Sequence, residues 1–181
     1  MNITVYGGAH PGSDPAFVAA AEALGRTIAK HGHTVVYGGG AIGMMGGLSR
    51  GALEEGGKVI GVIPRFMVER EWANPAVKDM RMTETMAERK TMMNELGDLF
   101  VAMPGGTGTL EEIAESLAHC NLGLIAGKCV FLNINGYYEP MRIMLDAMVQ
   151  AGYMAAHERA NAVFADSVEQ LAAIIAEGED K

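Results

Sequence analysis

Short, continuous apolar runs alternate with amphipathic stretches along the whole chain, and nearly every run ends in a turn rich in glycine. Ile3–Tyr6 opens into "GGAHPGSDP", Thr34–Tyr37 into "GGGAIGMMGG", and "DLFVAMP" (Asp98–Pro104) into "GGTGTLEE". "KVIGVIP" (Lys58–Pro64), "KCVFLNI" (Lys128–Ile134) and "NAVFA" (Asn161–Ala165) are further runs of this kind, and "VKDMRMT" (Val77–Thr83) reads as a short additional strand. Between them lie segments with apolar residues every three or four positions, such as Pro15–Gly32, Thr85–Gly97, Leu110–Leu124 and Tyr137–Tyr153. Strands that are apolar on both faces and alternate with helices predict an α/β, Rossmann-like doubly wound parallel sheet with helices on both faces. No linker, repeat or low-complexity block divides the 181 residues, so a single domain over 1–181 is expected. In such sheets ligands bind beyond the carboxyl ends of the strands, where the glycine turns fall.

Charge narrows the function classes. A net charge of −8 argues against a nucleic-acid surface, which needs clustered Lys and Arg. It leaves room for a small phosphate ligand held by backbone amides. The two cysteines, Cys120 and Cys129, form no C-x-x-C pair, so neither a zinc site nor a disulfide framework is indicated, and a cytoplasmic setting is expected. No run is long enough to span a bilayer, and no membrane partner is expected.

Three glycine-rich turns fall there, Gly7–Gly12, Gly38–Gly47 and Gly105–Gly108, and the second and third carry patterns that can be weighed. Gly38-x-Gly40-x-x-Gly43 matches the dinucleotide fingerprint, but it follows the second strand and the third ends in "VIPR", with no acid to hold a ribose. Packing of strand against helix explains Gly38, Gly39 and Gly40 as well. "GKC" at Gly127–Cys129 lacks the leading glycine and the hydroxyl of a Walker A loop. The turn at Gly105, Gly106, Thr107, Gly108 and Thr109 is more informative. Its glycines permit close backbone approach and positive φ, and the helix that follows offers free N–H groups to an anion. Thr109-Leu110-Glu111-Glu112 also reads as a capping box, and local pattern slightly favours that reading. Glu69–Met80, with Trp72, is irregular and reads equally as a lid or as a surface excursion.

"PGGTGTLEE" resembles the P-G-G-x-G-T-x-x-E motif of the Lonely Guy (LOG) family, phosphoribohydrolases that release cytokinin bases from nucleoside monophosphates. "MAERKTMMNELGDLFVAMPGG" is similar to the family's M-x-x-R-K helix and following strand. "VYGGG-AIGMMGGLSRGALEEGGKVIGVIP" and "LNINGYYEPM" extend the resemblance over nearly the whole chain. The resemblance implies hydrolysis of the N-glycosidic bond of a cytokinin or adenine nucleoside 5'-monophosphate, without metal or organic cofactor, in a homodimer. It places catalysis on Arg89 and Glu112. It places substrate binding on Glu71, Lys90, Gly105, Gly106, Thr107, Gly108, Thr109, Glu111, Gly39 and Gly40. A non-catalytic nucleotide or molybdenum-cofactor binding module on the same fold is the alternative, and the joint presence of Arg89 and Glu112 separates the two. No pattern identifies a pyridoxal-phosphate lysine, so a lysine decarboxylase finds no support. Two departures bear on substrate choice. Tyr6-Gly7-Gly8-Ala9 stands where many relatives have Cys-Gly-Ser-Ser, and Ala118-His119 where many have Thr-Trp.

From the residues alone, Glu112 near a helix N-terminus is expected to stay readily ionised, which suits electrostatic work and weakens it as a proton acceptor. Arg89 stays protonated and is expected to orient rather than to donate a proton. On local pattern, Arg89 and Lys90 would otherwise be a solvated helix face beside Glu88. The methionines near this helix, Met80, Met82, Met86, Met92 and Met93, are expected mostly in the core, with packing against a planar base as their other use.

Overall fold

The computed structural model describes residues 1–70 and 72–177. Seven strands form one sheet: β1 (Asn2–Tyr6), β2 (Thr34–Tyr37), β3 (Lys58–Pro64), β4 (Asp79–Thr83), β5 (Leu99–Ala102), β6 (Cys129–Leu132) and β7 (Ala162–Ala165). Their order is β4-β3-β2-β1-β5-β6-β7, and every pair is parallel. The chain adds strands outward from β1 on one side, then returns to β1 and adds β5, β6 and β7 on the other. β1 and β5 therefore flank the point where the order reverses, and the turns after them diverge to leave a crevice.

The helices are α1 (Pro15–Lys30), α2 (Gly43–Glu54), α3 (Arg65–Glu69), α4 (Met86–Leu96), α5 (Thr107–Asn121), α6 (Glu139–Gln150), α7 (Ala156–Arg159) and α8 (Val168–Glu177). Two cores result. Side chains of α1, α2 and α8 close one around Ile3, Val35 and Val101. Side chains of α4, α5 and α6 close the other around Val36, Phe100 and Phe131. The buried ITVY, TVVY and LFVA runs fill both, as expected of strands covered on both faces. α1 and α2 approach backbone to backbone. A Cβ on Gly25 would lie 2.0 Å from the Leu48 carbonyl oxygen, and one on Gly51 would lie 2.0 Å from that of Glu22. Among the described residues no helix is long and apolar enough to cross a membrane.

The expected elements are present, with four differences, one of them the unforeseen four-residue helix α7 between α6 and β7. α3 is an added helix of five residues after β3. α5 begins at Thr107, three residues before the expected Leu110, and its N-cap is Gly106 with no side-chain cap. The capping box is thus overturned: Thr109 and Glu112 both lie inside the helix. Nor do Gly105, Gly106 and Gly108 use positive φ.

Candidate active site

At the switch point lies a cavity of about 750 Å³, walled by the turns after β1, β2 and β5. Its floor is an ion pair. Arg89, one turn into α4, and Glu112, in the second turn of α5, meet with Nη1 to Oε1 at 3.4 Å, their side chains only 7% and 9% exposed. Arg89 is held from behind, its Nε donating to the Val62 carbonyl on β3 at 3.1 Å. Its other edge lies against Gly38, where a Cβ would stand 2.0 Å from Nη2. Gly38 is therefore glycine because the guanidinium needs its space. The dinucleotide-like pattern after β2 has a steric reason of its own.

A buried network beneath the floor joins the elements that carry the pair. Ser116 Oγ of α5 donates to Asn94 Oδ1 of α4 at 2.7 Å, and Tyr6 OH of β1 lies 3.1 Å from the same oxygen and 2.9 Å from Ser116 Oγ. All three polar groups are satisfied in a low-dielectric setting, which fixes α4 against α5.

Burial pushes the Glu112 carboxyl above its ordinary value; Arg89 pulls it back and Glu111 adds to the rise. This corrects the expectation of a readily ionised group. Helix-dipole stabilisation fades within the first turn, and Glu112 sits beyond it, in the dry interior. The result is a better proton acceptor than the position in sequence suggested.

The turn after β5 supplies the opposite kind of surface. Gly105, Gly106, Thr107, Gly108 and Thr109 all border the cavity. A Cβ at Gly106 or Gly108 would meet nothing within 4 Å, so no protein atom accounts for the glycines; the space above them is the cavity. Free N–H groups of the first turn of α5 are here, uncapped by any side chain. Thr109 is buried, its Oγ1 folded against Gly105.

The other expected residues divide. Gly40 and Glu111 border the cavity, whereas Gly39 and Lys90 do not. Gly39 packs against Ile63 and Met80. Lys90 Nζ is turned to Glu111 Oε1 at 2.7 Å and Glu115 Oε2 at 2.6 Å, which raises its pKa and keeps it charged. Glu71 lies outside the described residues. Apart from Met86 and Trp72, the remaining wall was not foreseen. It is apolar, with Met44, Met45, Met67 and Ile63 beside Met86, and Phe17, Tyr137 and exposed Trp72 at the rim. The adjacent Met44 and Met45 after the second glycine turn were the available signal. Of the methionines expected mostly in the core, Met93 is fully buried and Met82 is exposed on edge strand β4. Trp72 sits on an anchored segment rather than a loose excursion: Ala73 bridges Gly40, and Asn74 N donates to the Gly39 carbonyl at 2.8 Å.

The family described as possible lysine decarboxylase matches residues 45–175. A cytokinin riboside 5'-monophosphate phosphoribohydrolase of Rhodococcoides fascians is 38% identical over 96% of this chain and 88% of that protein. The LOG phosphoribohydrolase of Oryza sativa subsp. japonica is 37% identical over 93% of this chain and 70% of its own. The chain belongs to the LOG family. Its fold is shared with the molybdenum cofactor carrier protein of Chlamydomonas reinhardtii, at TM-score 0.75 and 24% identity over 99% of this chain and 98% of that one. A decarboxylase of the kind the family description suggests would need a lysine amine facing its substrate. Among the described cavity residues Arg89 is the basic side chain on the floor, and none is lysine.

Proposed function

We propose that this LOG-family chain hydrolyses the N-glycosidic bond of an adenine-type nucleoside 5'-monophosphate, giving free base and ribose 5-phosphate. One observation carries the proposal: a buried carboxylate of raised basicity, paired with a fixed guanidinium, faces the same cavity as an uncapped glycine turn shaped for an anion. The phosphate sits on the turn at Gly105–Thr109, which supplies binding energy remote from the bond that breaks. The base lies between the methionines and the rim aromatics. The ribose then spans the gap above Glu112.

Cleavage breaks the bond from C1' to the base nitrogen and builds oxocarbenium character on the sugar. Glu112 places negative charge beside it and takes a proton from the attacking water, whose oxygen bonds C1'. The departing base takes up a proton at its nitrogen from solvent, and Glu112 returns its own to solvent, so the net addition is one water. Arg89 stays protonated and orients the carboxylate. Lys90 acts indirectly, holding Glu111 and Glu115 at the edge of the site. A pure carrier on this fold would have no use for the Arg89–Glu112 pair. We include in the proposal a cytoplasmic homodimer: the thiols Cys120 and Cys129 are free, and Leu110, Leu122 and Leu124 on and after α5 are exposed.

The test is release of free base from AMP and from isopentenyladenosine 5'-monophosphate, followed by chromatography, with Glu112→Gln alongside. Release that disappears in a normally melting variant supports the proposal. Tight nucleotide binding without release from either substrate would sink it.

A further inference from the structure

The two tyrosines after β6 hold the glycine turn by its carbonyls. Tyr138 OH donates to the Met103 carbonyl at 2.7 Å, and Tyr137 OH donates to the Gly105 carbonyl. Between them Gly8 N donates to the Pro104 carbonyl at 3.2 Å. Three successive carbonyl oxygens are thus fixed by groups outside the turn. Among the described residues no peptide bond is cis, and in a trans peptide the N–H points opposite to the C=O. Fixing a carbonyl therefore aims the next residue's N–H. For Met103 this has no consequence at the ligand, because the next residue is Pro104, which has no N–H. For Gly105 it does, because the next N–H belongs to Gly106, the N-cap of α5, which borders the cavity.

We propose that Tyr137 is a positioning residue for the phosphate site, its hydroxyl turning the Gly105–Gly106 peptide so that the Gly106 N–H is presented to the substrate phosphate. This rests on the nucleotide reading above. The tyrosine itself is held by rings rather than by that bond. It meets Phe17 edge-on at 5.7 Å between centroids and Tyr138 edge-on at 5.0 Å. Removing the hydroxyl alone leaves the ring in place and frees the peptide to rotate. Tyr138 is buried and serves as the internal control, since its bond orients no donor.

The experiment is isothermal titration of wild type, Tyr137→Phe and Tyr138→Phe with ribose 5-phosphate and with adenosine, which lacks the phosphate, and a melting curve for each. Tyr137→Phe is expected to weaken ribose 5-phosphate by about tenfold, the scale of one charge-assisted hydrogen bond. Adenosine should change less than twofold. In turnover the same variant should raise KM for AMP about tenfold at nearly constant kcat. Tyr138→Phe should melt lower and bind ribose 5-phosphate as wild type does. Equal weakening of both ligands by Tyr137→Phe, or none, would overturn the assignment while leaving the hydrolase reading intact. Wild type that binds no ribose 5-phosphate would overturn both.

Discussion

Gly38→Ala tests whether the placement of Arg89, and not merely its presence, matters. The new Cβ would stand 2.0 Å from Nη2, and ordinary contact begins at 3.4 Å, so the guanidinium must retreat by roughly 1.4 Å. The obstructing atom is the far end of a flexible side chain, so Arg89 yields before the sheet does. If the retreat opens the pair by the same distance, the 3.4 Å separation becomes about 4.8 Å. At an effective dielectric of about 20 the attraction then weakens by about 1.4 kcal/mol, a factor of about ten. Misplacement by about an ångström near reacting atoms costs up to about a hundredfold. Turnover of AMP or its isopentenyl derivative should therefore fall ten- to a hundredfold, with the melting temperature lowered by no more than about 5 °C. Gly25→Ala is the contrast, because its Cβ meets backbone of α2 that has no room to yield; there the melting temperature falls by more than in Gly38→Ala. A Gly38→Ala protein that keeps its rate within twofold, while Arg89→Ala loses it, would refute the claim that the guanidinium needs this position.

Glu112→Gln should lose at least a hundredfold in turnover and keep its fold. Its pH dependence is a separate check. The wild-type carboxyl is raised above its unfolded value of about 4.5, so the native state holds the proton longer and wild-type stability falls as pH rises through the window above that value. The variant lacks this titration, so its melting temperature relative to wild type should climb across the same window. The acid limb of wild-type activity should lie above the ordinary carboxylate range. Gly106→Ala should leave the melting temperature within about 2 °C, because the Cβ meets no protein atom, yet weaken ribose 5-phosphate about tenfold by entering the cavity. Replacing Arg89 by Met and Glu112 by Leu together should cost no stability or add about 1–4 kcal/mol, while Arg89→Met alone destabilises by about 3 kcal/mol, as denaturant titration would show.

The sheet was legible because buried parallel strands leave continuous apolar runs, and TVVY and LFVA can hardly be anything else between two helical patterns. α3 was not, since five residues are too few for a period to emerge. The start of α5 was misread for a specific reason. Thr109 and Glu112 have the spacing of a capping box, but a helix capped by Gly106 leaves no side-chain signature. Arg89 and Glu112 were named from a family motif, whereas local pattern made Arg89 part of a solvated helix face and Glu112 part of a capping box. Their meeting depends on β5 passing between α4 and α5, a long-range fact with no local sign. Gly38 shows the same limit. Its need for a missing side chain exists only once Arg89 arrives from a residue 51 positions later. Lys90 went the other way: the family resemblance placed it on substrate binding, but one residue from Arg89 is about 100° around the helix, and it faces Glu111 and Glu115 instead.

The floor of the cavity is poorly built as a stabilising element, and that is the best physical argument for its use. A buried ion pair offsets its desolvation only with good geometry and full hydrogen bonding. Here the closest approach is 3.4 Å, and Arg89 spends its Nε on the Val62 carbonyl rather than on Glu112. Among the described residues none donates a hydrogen bond to the Glu112 carboxylate. Its basicity is raised for the same reason, because burial outweighs its partner. A fold under selection for stability alone would gain by replacing both groups with apolar ones. What the pair provides instead is a carboxylate with oxygen lone pairs uncommitted, held in direction by a cation that stays protonated, at the edge of a space large enough for a nucleotide. Gly38, Asn94 and Ser116 then share one purpose. They keep that costly arrangement in place and, under the proposed hydrolysis, leave the carboxylate free for a water and a sugar.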